Sequence, residues 1–372
     1  MPQRLAILTV FGGILALAVV AVMPPQIEAA GRSAQQVGVR HEGNVHVPQF
    51  SPDGRFIAYE VNVPAENRTE LWMVGWEGGR TSGKAEKLVP ESMSTSRRYG
   101  GGKRISHSFS WAHQGSHRFA YSVTDSTGAQ DIYVDNWSTM VESSGSANKN
   151  ASWDPNEPRF VFSSGRSGNG DLYLWDGGNQ IQLTYDPDNA ELYPTFHPAG
   201  AKVAYVRQGK AGSHIYILDV NLFATTPLVQ YEGKESTRPC FSPDGGKVSF
   251  FSNKSSASPT RFGLWVTDAR AGNTPRNIAP GALLPSKGCA SWTPDGKGVV
   301  AVKDSPDEGD PICIFPVDGG APNCLTGMGT RNNRDPQLLE IDGQWRLVYT
   351  AQVSRGESKA TWQEIYVYDI PR

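Results

Sequence analysis

The stretches Phe50-Ser-Pro-Asp-Gly-Arg-Phe-Ile-Ala-Tyr59 and Phe241-Ser-Pro-Asp-Gly-Gly-Lys-Val-Ser-Phe250 are two clean copies of one unit. Each joins an aromatic residue, a Ser-Pro-Asp-Gly turn and an apolar run. Further copies read Trp153-Asp-Pro-Asn-Glu-Pro-Arg-Phe-Val-Phe162, Phe196-His-Pro-Ala-Gly-Ala-Lys-Val-Ala-Tyr205 and Trp292-Thr-Pro-Asp-Gly-Lys-Gly-Val-Val-Ala301. The copy at Trp111 is one residue longer, and the copy at Leu338 is the most degenerate. The seven opening residues are spaced by 61, 42, 43, 45, 51 and 46 residues. Self-similarity at a period of roughly 40–50 residues marks a β-propeller array.

Each unit has a local logic. The opening aromatic ends an inner strand and packs between sheets. Pro presets φ and Gly accepts φ > 0, which makes a tight turn. A β-branched and aromatic strand follows, such as Phe56–Tyr59 or Lys202–Tyr205. After a polar loop such as Ser163–Gly170 comes a third strand, as in Glu70–Val74, Asp131–Val134, Asp171–Trp175, His214–Leu218 and Glu364–Tyr368. An edge strand is visible at Gln180–Thr184 and Asn323–Thr326. Four short strands per period make one blade. With 40 Gly, 26 Pro and 10% aromatic residues, the composition suits many turns around aromatic-packed sheets. No long amphipathic pattern supports a helical or α/β alternative.

The Ser-Pro-Asp-Gly turn followed by Ser-Gly-Arg-Ser-Gly-Asn-Gly-Asp-Leu-Tyr-Leu174 resembles the WD40-like repeat of the TolB-like propeller family. The junction Leu183-Thr184 to Pro194-Thr-Phe196-His-Pro198 is similar too. The resemblance runs from about Pro48 to Asp369 and covers the propeller alone. TolB proteins carry an α/β domain ahead of a six-bladed propeller. Here seven units are counted, and fewer than twenty residues separate the N-terminal signal segment, residues 1–29, from Pro48, where the repeats begin. An all-β, seven-bladed propeller is therefore expected, with six blades as the alternative. The segment Gln36–His41 is expected to supply the missing fourth strand of the last unit and close the ring.

Residues 1–29 read as a signal peptide: Arg4, an apolar run over Leu5–Val22, then small residues near Ala29. The alternative is an uncleaved membrane anchor, because the run approaches the ~18 apolar residues that span a bilayer. Residues 30–372 form a single propeller domain in this reading. A periplasmic or secreted location follows. The four cysteines fit an oxidising compartment. Cys313 and Cys324 stand symmetrically about Asp318-Gly319, which suits a cross-strand disulfide. Cys240 and Cys289 precede the opening residues of two consecutive units; a second bridge and two free buried thiols are both open.

The net charge of −2 implies no nucleic-acid partner. No G-x-S-x-G elbow, phosphate loop or zinc spacing occurs, and no cofactor or metal site is expected. The acidic pieces Asp186–Asn189 and Asp304–Asp310 do not match a calcium loop. His113 and His117 fall in a turn.

Propellers bind over the central channel, so the candidate site is the set of residues three and four places ahead of each opening residue. The polar members are His46, His107, Lys149, Asn150, Tyr193, Arg238, Arg334 and Asp335. They suit an anionic or carbohydrate ligand, or line a water-filled tunnel. Two functions remain: a non-enzymatic, exported scaffold that binds a protein or envelope partner, and a carbohydrate-active enzyme resembling the oligogalacturonate lyases. The latter chemistry requires His46 and His107 to share a cavity with Arg238 or Arg334.

Overall fold

A computed structural model describes residues 34–371, apart from 64–67, 89–104, 113–117, 125–127, 135–138, 142–145, 326–327 and 355–360. The signal segment and the His113/His117 pair lie outside the described residues, as does the side chain of His107. The described chain is all β, with no α-helix.

The strands group by sequence unit. Unit 1 pairs Asn44–Phe50, Phe56–Val63, Arg68–Glu77 and Arg80–Lys87 in that order. The first strands of units 2 to 7 are Ile105–Trp111, Asn148–Trp153, Ala190–Phe196, Lys234–Phe241, Ser291–Trp292 and Arg334–Ile341. Five sheets have four strands each. An eight-stranded sheet comprises units 4 and 5, joined where Gly212 and Ser213 pair in parallel with Lys234 and Glu235. In unit 7, Gln344–Ser354 and Thr361–Asp369 follow the first strand, and Gln35–Gln36 pairs antiparallel to Thr361–Asp369. The Val37 N–H also donates to the Ile365 carbonyl at 2.9 Å. The N-terminal pairing is thus shorter and one residue earlier than the expected Gln36–His41.

The repeated turn owes its residues to a compact hydrogen-bond box. In unit 1 the Gly54 N–H donates to the Ser51 carbonyl at 2.8 Å, which closes a β-turn. The Ser51 hydroxyl donates to Asp53 at 2.6 Å, and Asp53 accepts the Arg55 N–H at 3.1 Å. Ser51 Oγ also accepts the Phe56 N–H at 3.0 Å. Thr293 and Asp295 repeat the box in unit 6. The glycine is required because the chain leaves the turn at positive φ: 70° at Gly54, 73° at Gly245, 69° at Gly296. In unit 7 the degenerate motif turns later, at Asp342-Gly343, with φ of 51° and 71°. Two consecutive positive φ values are those of a type I′ hairpin.

Successive residues of the second and third strands are buried on opposite faces. Val299 and Ala301 pack toward unit 5, whereas Val300 and Val302 pack toward unit 7. This two-sided burial explains why these strands read as continuous apolar runs. The described residues form seven apolar clusters, each shared by two neighbouring units. One of them joins Ile341, Val348 and Ile365 of unit 7 to Phe50, Ile57 and Tyr59 of unit 1. The opening aromatics also stitch units together by hydrogen bonds. The Trp153 indole donates to the Ser110 carbonyl at 3.1 Å, and the Trp292 indole to the Cys240 carbonyl at 3.2 Å. The residue before the opening position does the same from the other side. Ser152 accepts the Phe196 N–H, Ser291 the Leu338 N–H, and Gln337 the Phe50 N–H at 2.8 Å.

Candidate functional site

Five of the first strands carry a bulge at one place. The antiparallel register jumps between His46 and Gln49, Lys149 and Ser152, Leu192 and Thr195, Thr237 and Cys240, and Arg334 and Gln337. Within each jump a non-glycine residue has positive φ: Val47, Asn150, Tyr193, Arg238 and Asp335, all between 50° and 58°. Such values cost energy in any L-residue, most in a β-branched one, and repeated strain at one position points to a site. Proline follows four of the five, at Pro48, Pro194, Pro239 and Pro336. It is tolerated because it sits at the bulge, where the missing N–H breaks no ladder.

The bulge residues meet around one cavity of about 830 Å³, to which all seven first strands contribute. Of the sequence candidates, Lys149, Asn150, Tyr193, Arg238 and Asp335 line it. Arg334 does not: it turns away to Asp310 at 2.8 Å and donates to the Asn333 carbonyl. His46 lies beside this wall and interacts electrostatically with Asp335 and Lys287. His107 belongs to the first strand of unit 2, its side chain outside the described residues.

Two residues of the site were not in the sequence set. Lys287 comes from the segment between Ala279 and Ser291, because the first strand of unit 6 is only two residues long. It bonds to Glu60, which lies directly across the ladder from His46. Glu60 interrupts the apolar run Phe56–Val63, as Asn62 does, but Glu60 is buried where Asn62 is exposed. Its side chain is 3% exposed, and its Oε1 has no hydrogen-bond partner among the described residues.

The segment bearing Lys287 is tied down at several points. Cys289 forms a disulfide with Cys240 of unit 5. The Ser286 N–H donates to Asp335 Oδ1 at 2.6 Å, and the Ser286 carbonyl accepts from Arg238 Nη2 at 3.3 Å. Asp335 Oδ2 accepts the Val47 N–H at 3.3 Å, so both oxygens of this buried carboxylate serve backbone groups. The second cysteine pair, Cys313–Cys324, is also a disulfide and stands opposite in the ladder of unit 6.

Burial lowers the proton affinity of His46, against the pull of Asp335 and with the repulsion of Lys287. Burial likewise raises Glu60 and lowers Lys287, while the attraction between them opposes both shifts. The Arg238 guanidinium lies 4.3 Å from the Tyr193 ring centroid, a cation–π contact. Burial pulls its pKa down from the ordinary value, with Tyr193 and Asp335 acting the other way. Among the described residues no three His, Cys, Asp or Glu side chains come together as a metal site. The acidic pieces are spent internally. Asp186 accepts the Asp188 and Asn189 N–H groups and pairs with Arg207 at 3.2 Å. Asp310 accepts the Ser305 N–H and pairs with Arg334.

No family model matches this chain, and no curated protein matches it by sequence. Solved structures do. TolB from Acinetobacter baumannii aligns over 79% of this chain at 16% identity, with a TM-score of 0.48. A prolyl endopeptidase aligns over 89% at 12% identity, with a TM-score of 0.57. Oligogalacturonate lyase from Vibrio parahaemolyticus aligns over 91% of this chain and 93% of its own, at 12% identity and a TM-score of 0.58. The chain spans 66% of that TolB and 50% of the endopeptidase. At such identities the likeness concerns the backbone, and with the repeated antiparallel sheets it establishes a β-propeller fold.

Proposed function

We propose that the seven units close into a seven-bladed propeller, with Gln35–Gln36 completing the last blade. The pairing with Thr361–Asp369 and the cluster shared by units 7 and 1 support this closure. The chain is then an exported, TolB-like, non-enzymatic binding protein of the cell envelope, which holds a protein or envelope partner over its central channel. Residues 1–29 direct its export. The carrying observation is the cavity where all seven first strands meet, lined by Lys149, Tyr193, Arg238 and Lys287. Two disulfides accord with an oxidising compartment. No described helix is long and apolar enough to cross a membrane. The test places a photo-crosslinking residue at Tyr193 in the exported chain, with a control at Thr225 on an exposed outer strand. A partner captured from the envelope fraction at Tyr193 and not at Thr225 is the expected result. Equal capture at both positions, or none at Tyr193, rejects the reading.

A second reading is a carbohydrate-active enzyme similar to the oligogalacturonate lyases. It is favoured by His46, whose proton affinity burial lowers and which stands beside Lys287, although His46 is not among the residues that line the cavity with Arg238. Incubation with oligogalacturonate, followed by ultraviolet absorbance of unsaturated uronate products, decides it. The enzyme reading predicts activity that His46→Gln abolishes; absence of product removes it.

A further inference from the structure

We infer that Arg238 is the receptor for a carboxylate group that a ligand carries into the channel; this rests on the channel being the binding site, as proposed above. Arg238 stands half-buried in the cavity wall, yet no described carboxylate forms an ion pair with it. Its one hydrogen bond among the described residues is the donation to the Ser286 carbonyl. The other guanidinium donors remain available. A cation withdrawn from water without a partner is costly unless an anion joins it.

The fold also keeps the nearest carboxylate from filling that role. Asp335 influences Arg238 electrostatically, but its two oxygens accept backbone N–H groups from Ser286 and Val47. Glu60 is likewise engaged by Lys287. The acids of this wall thus brace the segment held by the Cys240–Cys289 disulfide, and Arg238 keeps its charge free. Backbone strain places it there, since Arg238 has a φ of 57° inside the bulge. The Tyr193 ring centroid lies 4.3 Å from the guanidinium carbon, and among the described residues only Nη2 is engaged, by the Ser286 carbonyl. A planar guanidinium with donors still unused matches a carboxylate through two parallel hydrogen bonds. Lys149, which lines the same cavity and has no described ion-pair partner, adds a second positive charge.

A carboxylate reaches such a site from two sources, a uronic acid or a peptide C-terminus, and the experiment separates them. Binding to the mature, disulfide-intact chain is measured by saturation-transfer NMR and calorimetry with two matched pairs. These are glucuronate against glucose, and N-acetyl-dialanine against its amide. The acid of one pair is expected to bind at least ~10-fold more tightly than its neutral partner, equivalent to about 1.4 kcal/mol. Preference within the sugar pair assigns the uronate source, and preference within the peptide pair the C-terminal source. Arg238→Gln is expected to abolish the preference. Arg238→Lys keeps the charge without the fork and is expected to retain only part of it. Near-ultraviolet circular dichroism and Tm of each variant show that the propeller stays folded. Binding of neither acid, equal binding of acid and neutral probes, or a preference undiminished in folded Arg238→Gln overturns the inference. Continued capture at Tyr193 in that same variant would show that the channel binds its partner without a carboxylate, so the two readings fail separately.

Discussion

Substituting Gly54 by alanine tests how unit 1 meets unit 7. Gly54 has φ of +70°, and a Cβ built there would stand 2.6 Å from both Cδ1 and Cγ1 of Ile341 and 2.9 Å from its Cγ2. Ile341 is buried at the end of the first strand of unit 7. The control is Gly296, with nearly the same φ of +69°, where a Cβ would meet only Pro243 Cδ at 3.9 Å. Holding alanine in the left-handed region costs roughly 1–2 kcal/mol, and the reduced entropy of the unfolded chain returns about half of that. Gly296→Ala is therefore expected to destabilise by about 1 kcal/mol. Gly54→Ala adds an overpacking term of roughly 1–3 kcal/mol because a branched, buried side chain must move. Urea denaturation with both disulfides oxidised measures each variant, together with Ile341→Ala and the Gly54→Ala/Ile341→Ala double variant. Removing the three crowding atoms should make the double variant more stable than additivity predicts by about 1–3 kcal/mol. Equal destabilisation at Gly54 and Gly296, with additivity to within about 0.5 kcal/mol, would refute the described seam.

Three further outcomes are expected. Replacing Cys240 and Cys289 together by alanine opens a 49-residue separation and should cost up to about 4 kcal/mol by chain entropy; the pair Cys313 and Cys324, 11 apart, should cost up to about 3 kcal/mol. Free-thiol titration confirms each state, and a larger loss for the shorter loop would contradict this ordering. His46 is held below its ordinary value of 6.5 mainly by burial, so the stability it contributes is present above about pH 6.5 and is lost as the pH falls through its folded value. The unsubstituted chain should therefore lose more stability than His46→Asn between about pH 7 and pH 5, and parallel pH curves would contradict that. Trp292→Phe removes the indole donor to the Cys240 carbonyl and part of a buried ring, and should cost about 2–3 kcal/mol in denaturant unfolding. A loss below about 0.5 kcal/mol, typical of a surface change, would deny that this aromatic joins units 5 and 6.

Features that depend on neighbouring residues were legible in the chain itself. The turn box needs Ser51, Asp53 and Gly54 within one short segment, so its chemistry is written consecutively. Third strands appear where Asp-Leu-Tyr or His-Ile-Tyr patterns place them, at Asp171–Asp176 and Gly212–Asp219. Cys313 and Cys324 face each other because one hairpin joins them. Arg334 and Asp335 could not be ranked in this way. Adjacent residues of a strand point to opposite sides, and only the bulge decides which one turns to the channel. Lys287 was hidden because a shortened first strand let a connecting segment take its place at the wall.

The sequence by itself therefore determined the repeated unit, its turn chemistry and the all-β class, because each arises from interactions within a few residues. Only the tertiary structure decided that Glu60 would meet Lys287 from 227 residues away, and that Asp335 would brace a segment beside the disulfide. Those contacts depend on the order and angle in which separate sheets pack. That packing is set by burial summed over the whole molecule, which no single repeat records.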